Sequence, residues 1–296
     1  TIDGLARAPF DYSMHDASGR AKLRFDIWDH TGWVDKTAWI RRGTGAGEMT
    51  WNPGYQQIGR PLTPGRYRTR ITAVDAAGNE RYSTVRKLRI QRSVHASVYR
   101  RVEGAGQRVA LTFDDCLFED AWSSILTTLH DYHVKATFFC PGQYVYLHSA
   151  LARRTVREGH SVGSHGWDHA ALAGRGASET MWRLQRDSQA WWSVGDAAAP
   201  FFRPPYGSTD SSVVQGAGAA SYSRVVLWDV DTNDWRGRSP SQIASTVVGS
   251  SRGGSIVLMH VLRNTADALP SILHGLKARG LKPVSLHRLF AAGGLR

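Results

Sequence analysis

The 296-residue sequence predicts a two-domain chain, a small all-β sandwich followed by a larger α/β domain built on a parallel sheet. Three observations carry that prediction. Residues 1–92 are patterned with a period of two and broken by turn signals. Residues 106–296 alternate apolar, strand-length runs with helix-length stretches, and residues 93–105, with Ser93, Ser97 and Gly104, read as a connector between the two. Period-two patterning with frequent turns suits an antiparallel sheet with one solvated face. Continuous apolar strands separated by helices suit a parallel sheet buried on both faces.

In the first domain, Leu23, Phe25 and Ile27 alternate with polar neighbours before a turn at Thr31-Gly32. The apolar cluster Ala38-Trp39-Ile40 precedes a glycine-rich stretch from Gly43 to Gly47. Pro64-Gly65 opens a strand that sets Tyr67, Thr69, Ile71 and Ala73 on one face and Arg66, Arg68 and Arg70 on the other. Asp75-Ala76-Ala77-Gly78-Asn79 is a turn, and Tyr82 to Ile90 returns as the next strand. The pattern resembles immunoglobulin-like or fibronectin-like modules. Trp28, Trp33, Trp39 and Trp51 serve either as core or as a sugar-stacking surface. In the second domain the expected strands are 109–113, 136–139, 225–228, 255–259 and 283–286. The expected helices are 121–132, 151–158, 178–192, 241–250 and 267–279.

Charge narrows the partners. The net charge is +12, and the first 103 residues, with 18 Lys and Arg against 10 Asp and Glu, carry +8 of it. A basic first third suits attraction to an anionic polymer such as a wall polysaccharide, with plain solubility as the bland alternative. Nucleic acid is disfavoured as a partner, because the arginines alternate with strand formers and line no helix or aromatic platform. No run of about 18 apolar residues is present, so no transmembrane segment is expected. No charged-then-apolar leader opens the sequence, which leaves a cytosolic protein or a mature secreted form whose signal peptide has been removed. Cys116 and Cys140 either pair or remain free buried thiols.

Two of the twelve histidines, His165 and His169, stand at i and i+4. On a helical turn that spacing brings both imidazoles to one metal ion. The pair Asp114-Asp115, at the end of the first expected strand of the α/β domain, offers one carboxylate to the metal and one beside it as a proton acceptor. Two imidazoles, one carboxylate and open positions make the catalytic style of metal site. Each piece alone has a bland reading, an Asp pair being often a solvated turn or a helix cap. All of them nevertheless fall just beyond the carboxyl ends of expected strands, where barrel active sites are built.

Five segments then follow in order: Thr112-Phe113-Asp114-Asp115, Ser164-His165-Gly166-Trp167-Asp168-His169, Arg203-Pro204-Pro205-Tyr206-Gly207, Asp231-Thr232-Asn233-Asp234-Trp235 and Leu258-Met259-His260. On these motifs, residues 106–296 resemble the polysaccharide deacetylases with a NodB-homology domain, the family-4 carbohydrate esterases. The resemblance implies a distorted (β/α) barrel, usually of fewer than eight units. It implies metal-dependent hydrolysis of N-acetyl groups on N-acetylglucosamine residues of a cell-wall, chitin-like or exopolysaccharide polymer. Asp115, His165 and His169 would hold Zn2+ or another divalent metal such as Co2+. Asp114 resembles the general base and Arg203 the partner that orients it. His260 resembles the general acid, and Asp234 the carboxylate that keeps it charged. The Tyr206 backbone N–H would help to stabilise the oxyanion, and Trp235 and Leu258 would wall a pocket for the acetyl methyl.

Two positions depart from the family pattern. Cys116 stands where many relatives carry Gly, and Val261 where an acidic residue often follows the histidine. Cys116 and Cys140 end strands that neighbour one another in such a barrel, which makes a disulfide between them geometrically reasonable. A thiolate in the metal shell is the competing role. The alternatives to N-deacetylation are O-deacetylation of acetylated xylan on the same scaffold, or a non-catalytic wall- or sugar-binding protein. The expected location is secreted or wall-associated.

Overall fold

Antiparallel pairing organises the first part of the chain and parallel pairing the rest, in a computed structural model that describes residues 8–14, 20–29, 32–36, 40–43, 45–51, 65–90, 95–195 and 198–295. Two compact units result, one of residues 1–94 with 219–221 and one of residues 95–218 with 222–296. In the first, the long strands Arg20–Asp29 and Gly65–Val74 pair over Lys22–Trp28 and form the middle of a six-stranded antiparallel sheet. Ala8–Met14 and Gly45–Trp51 form a separate antiparallel pair. Alternation buries Ala21, Leu23 and Ile27 on one strand and Tyr67 and Thr69 on the other.

The alternation slips at Thr72, which is buried because its hydroxyl donates to the fully buried Asp26 at 2.5 Å. Arg24 and Arg70 pair with the same carboxylate at 2.6 and 3.2 Å. Of the arginine face expected along this strand, Arg68 is therefore exposed while Arg70 is engaged. Thr31, Ala38, Trp39, Thr44 within the glycine-rich stretch and Pro64 lie outside the described residues, as do the side chains of Phe25, Trp33, Trp51 and Arg66.

The second unit is a nine-stranded parallel sheet. Its path runs Val230–Asp231, Ile256–His260, Arg108–Asp114, Thr137–Cys140, Ser161–Ser164, Phe201–Phe202, Arg224–Val226, Ser97–Tyr99, with Lys282–Val284 pairing on Arg108–Ala110. Helices form the crossovers, and the strands are apolar on both faces because both are covered: six consecutive residues of Val109–Asp114 are buried. The short helix Leu286–Ala292 packs Leu286, Leu289 and Phe290 into one cluster with Ala110, Phe139, Phe201, Val226 and Ile256.

Register then aligns the strand ends. Asp114 lies opposite Phe139 and His260, and Ser164 opposite Cys140 and Phe202. Close approach sets one composition: a Cβ on Gly163 would come within 2.3 Å of the Phe139 ring, so only glycine lets these two strands sit side by side.

Several elements differ from the sequence reading. Ser97–Tyr99, inside the expected connector, is a strand of the second unit's sheet. Three residues alternating in exposure at an edge carry no apolar run to reveal them. The two-residue strands Phe201–Phe202 and Val230–Asp231 are below any periodic signal. The strand expected over 283–286 stops at Val284, because Ser285 is the N-cap of a helix that starts at Leu286. The strand expected over 225–228 is Arg224–Val226. Among the described residues, no helix is long and apolar enough to cross a membrane.

Candidate active site

Asp115, His165 and His169 converge, each offering one ligand atom within 4.8 Å of the others. The helical turn expected over His165–His169 is not formed. The segment is a loop leaving the Ser161–Ser164 strand, turned by left-handed backbone at Gly166 (φ +75°) and His169 (φ +59°). The i, i+4 pair thus meets through a bend that glycine permits, not through helical periodicity. A carbonyl can only accept, so the 2.7 Å contact from His165 Nδ1 to the Arg203 carbonyl puts a proton on Nδ1 and turns Nε2 toward Asp115. His169 Nδ1 lies 3.2 Å from the Tyr206 hydroxyl, which holds that ring in place.

Asp115 Oδ1 is buried without a hydrogen-bond partner and lies 3.4 and 3.1 Å from Nε2 of His165 and His169. Three lone pairs facing one another repel unless a proton or a cation lies between them. Donor separations near 3.3 Å are also what tetrahedral bonds of about 2.0–2.1 Å produce. The donor set therefore fits a divalent metal of the zinc type.

Asp114 ends the Arg108–Asp114 strand and is 3% exposed, facing a fully buried Arg203. Arg203 Nη1 donates to Asp114 Oδ1 at 2.7 Å and to Thr112 Oγ1 at 2.8 Å; Nε and Nη2 donate to the carbonyls of Val226 and Leu227. The guanidinium lies over the Phe139 ring, 4.4 Å from its centroid. Burial works against the charged guanidinium and pulls its pKa below the ordinary value, with Asp114 opposing. With four donors committed, this fork holds Asp114 Oδ1 in one place and leaves Oδ2 toward His165, 3.7 Å from Nε2.

His260 ends the Ile256–His260 strand, and its Nδ1–H donates to Asp234 Oδ1 at 2.7 Å. Asp234 Oδ2 accepts from the His260 backbone N–H at 2.7 Å and from Thr265 Oγ1 at 2.5 Å. Burial alone lowers the imidazole pKa. The hydrogen bond and charge of Asp234, helped by the charges of Asp114 and Asp115, outweigh it and hold His260 at about 9. Burial likewise raises the Asp234 carboxyl, but the bonds from His260 and Thr265 leave it below the usual range. The site thus pairs a carboxylate locked to a guanidinium with an imidazole kept protonated, the opposed environments that separate a base from an acid.

The other expected residues are placed less tightly. Tyr206 has left-handed backbone (φ +63°) after Pro205 and is largely exposed, with its ring edge-on to His169. Trp235 follows Asp234 and is 57% exposed, so it is no core residue; Leu258 is buried two residues before His260. The Trp235 backbone N–H donates to Asp234 Oδ1 at 3.0 Å, and the Leu258 carbonyl accepts from Thr232 Oγ1 at 2.9 Å. Cys116 and Cys140 are joined in a disulfide. Thr112, Asn264 and Thr265 are the partners that sequence reasoning did not single out. Thr112 had a signal, since it shares a strand face with Asp114 two residues on. Asn264, which donates to the Asp234 and Arg238 carbonyls, and Thr265 had none.

Comparison with known proteins identifies the family and the fold. Residues 101–225 match the model of the family described as polysaccharide deacetylase. The chain is 28% identical over 282 residues to a Listeria monocytogenes protein named peptidoglycan-N-acetylglucosamine deacetylase PgdA, covering 95% of this chain but only 55% of that one. It is 34% identical over 187 residues to a Bacillus cereus peptidoglycan-N-acetylglucosamine deacetylase, covering 62% of this chain and 68% of that one. A solved peptidoglycan N-acetylglucosamine deacetylase in complex with an N-hydroxybenzamide superposes with a TM-score of 0.62 at 31% identity, over 66% of this chain and 92% of the other.

Proposed function

The chain belongs to the polysaccharide deacetylase family, and from that premise we propose that it is a metal-dependent deacetylase hydrolysing the N-acetyl groups of N-acetylglucosamine residues in a wall polysaccharide, with peptidoglycan foremost. The observation that carries the reading is the arrangement of three groups around one point: the Asp115–His165–His169 donor set, the buried Asp114–Arg203 pair and the protonated His260 on Asp234. A decayed site usually loses at least one of them.

Asp115, His165 and His169 would hold the metal, Zn2+ or a similar divalent ion. When bound, it supplies Lewis-acid polarisation of the acyl carbonyl and makes water more acidic. Asp114 Oδ2, the oxygen that Arg203 leaves free, accepts a proton from the attacking water as its oxygen bonds to the acyl carbon. The Tyr206 N–H donates to the oxygen on which charge develops. His260 gives its Nε2 proton to the sugar nitrogen as the C–N bond breaks, so acetate and a free amine leave. Trp235 and Leu258 flank the acetyl methyl. We read residues 1–92 as an appended immunoglobulin-like module that docks on anionic wall polymer, and the protein as secreted or wall-associated. Removal of residues 1–94 should then lower activity on insoluble wall more than on soluble oligosaccharides. Equal loss on both would sink the docking role.

Acetate release tests the function. Metal-loaded protein is assayed on peptidoglycan, chitooligosaccharides, poly-N-acetylglucosamine and acetyl-xylan, with a chelated sample alongside. Release from a glucosamine polymer that chelation abolishes is the expected result. Release from xylan alone would make the protein an O-deacetylating esterase, and silence on every polymer would favour a binding role.

A further inference from the structure

Asp115 and Cys116 are consecutive non-glycine residues with left-handed backbone, at φ +75° and +56°. A residue bearing a Cβ populates that region roughly tenfold less than the right-handed alternative, so two in a row persist only where the surroundings impose them. Three ties do so here. The Asp115 N–H donates to the Phe139 carbonyl at 3.0 Å. The Cys116 N–H donates at 3.0 Å to the Asp114 carbonyl, which also receives the Val261 N–H at 3.0 Å. Cys116 is bonded through sulfur to Cys140, the residue after Phe139. Two of the three ties thus end on adjacent residues at the carboxyl end of the Thr137–Cys140 strand. Both cysteines are completely buried. Thiols in solution have no access to such a bond, which speaks for a constructional role over a redox signal.

We propose that the Cys116–Cys140 disulfide is the positioning device for Asp115, holding the left-handed turn that aims Asp115 Oδ1 at His165 and His169 before a metal arrives. The inference rests on the metal reading above. With the disulfide in place, the unfavourable turn is set during folding. Without it the turn relaxes, and metal binding must restore it at the expense of affinity. A residue lacking Cβ at position 116 removes the demand at that position and leaves only that of Asp115, because glycine enters the left-handed region freely. Cys116→Ala/Cys140→Ala and Cys116→Gly/Cys140→Ala both lack the disulfide and differ by one methyl group. They separate the turn from the crosslink.

The test is zinc affinity of the full chain by competition with a chromophoric chelator, with unfolding midpoints of the metal-free proteins as a check on folding. Cys116→Ala/Cys140→Ala is expected to bind roughly tenfold more weakly than wild type, and Cys116→Gly/Cys140→Ala within about threefold of it. Wild-type affinity in the alanine form would overturn the proposal. So would a glycine form as weak as the alanine form, since the crosslink and not the turn would then matter. If the alanine form does not fold, Cys116→Ser/Cys140→Ser takes its place in the contrast with the glycine form: a tenfold loss in the serine form upholds the proposal and wild-type affinity overturns it. Failure of the unmodified protein to bind zinc would strike the metal reading itself, and that result is seen before any substitution is made.

Discussion

Asp234→Asn removes one charge from the pair that keeps His260 protonated while preserving the shape of the side chain. The His260 imidazole sits at about 9 against an ordinary 6.5, a difference of roughly 2.5 pH units or about 3 kcal/mol in favour of the charged form. Its side chain is 16% exposed, so solvent screening takes little from that figure. A general acid works only while protonated. At pH 8 a group with a pKa of about 9 is roughly nine-tenths protonated, and one returned to 6.5 is about 3% protonated. Activity of the variant at pH 8 should therefore fall roughly thirtyfold, with little loss near pH 5.5. Burial pushes the imidazole lower still, while the remaining charges of Asp114 and Asp115 push it back up.

Stability follows the same sign. A raised histidine pKa stabilises the fold fully below 6.5 and loses that contribution as pH rises through about 9, so the wild type should show this decline and Asp234→Asn should not. The assay is the pH profile of acetate release between pH 5 and 10, with urea unfolding across the same range. A variant whose activity falls evenly at all pH values, with the high-pH limb still near 9, would refute the assignment of His260 as the acid tuned by Asp234.

Two further outcomes follow from buried charge. Arg203→Met leaves the buried Asp114 carboxylate without its cation, which should destabilise the fold by about 3–5 kcal/mol and lower activity at least a hundredfold; Arg203→Lys should not rescue it, because one ammonium cannot make four fixed bonds. Full activity in Arg203→Lys would show that charge alone suffices. His160 is buried and accepts the Ala136 N–H on Nδ1, and burial together with the Lys135 charge lowers its pKa to about 4. The unfolded chain therefore takes up the proton first. Stability should fall by up to roughly 3 kcal/mol as pH drops from 6.5 toward 4, and this part of the slope should vanish in His160→Gln when unfolding is followed in urea.

The charged members of the site were legible in the sequence because each lies in one of the five ordered motifs; only Asp114 and His260 also follow a predicted strand, and a parallel sheet brings strand ends together. Asp114, His165, Arg203 and His260 are aligned by the register of four strands and their following turns. What joins His165 to His169 was misread. The spacing suits a helix, but Gly166 and His169 take left-handed backbone, and no periodicity reports a bend of that kind. Thr265 was invisible for a different reason: a hydroxyl at the start of the Arg263–Ala278 helix reaches Asp234 through the tertiary fold alone. The short strands Phe201–Phe202 and Val230–Asp231 likewise owe their existence to neighbours on either side and not to their own composition.

The division between a metal held by Asp115, His165 and His169 and a base that does not hold it is tested most directly in Asp114→Asn. Zinc content and acetate release from peptidoglycan are measured on the same preparation. The account predicts about one zinc per chain, as in wild type, with acetate release lowered by a factor of roughly 10²–10⁴. Retained activity, or loss of the zinc along with it, would contradict that division of labour.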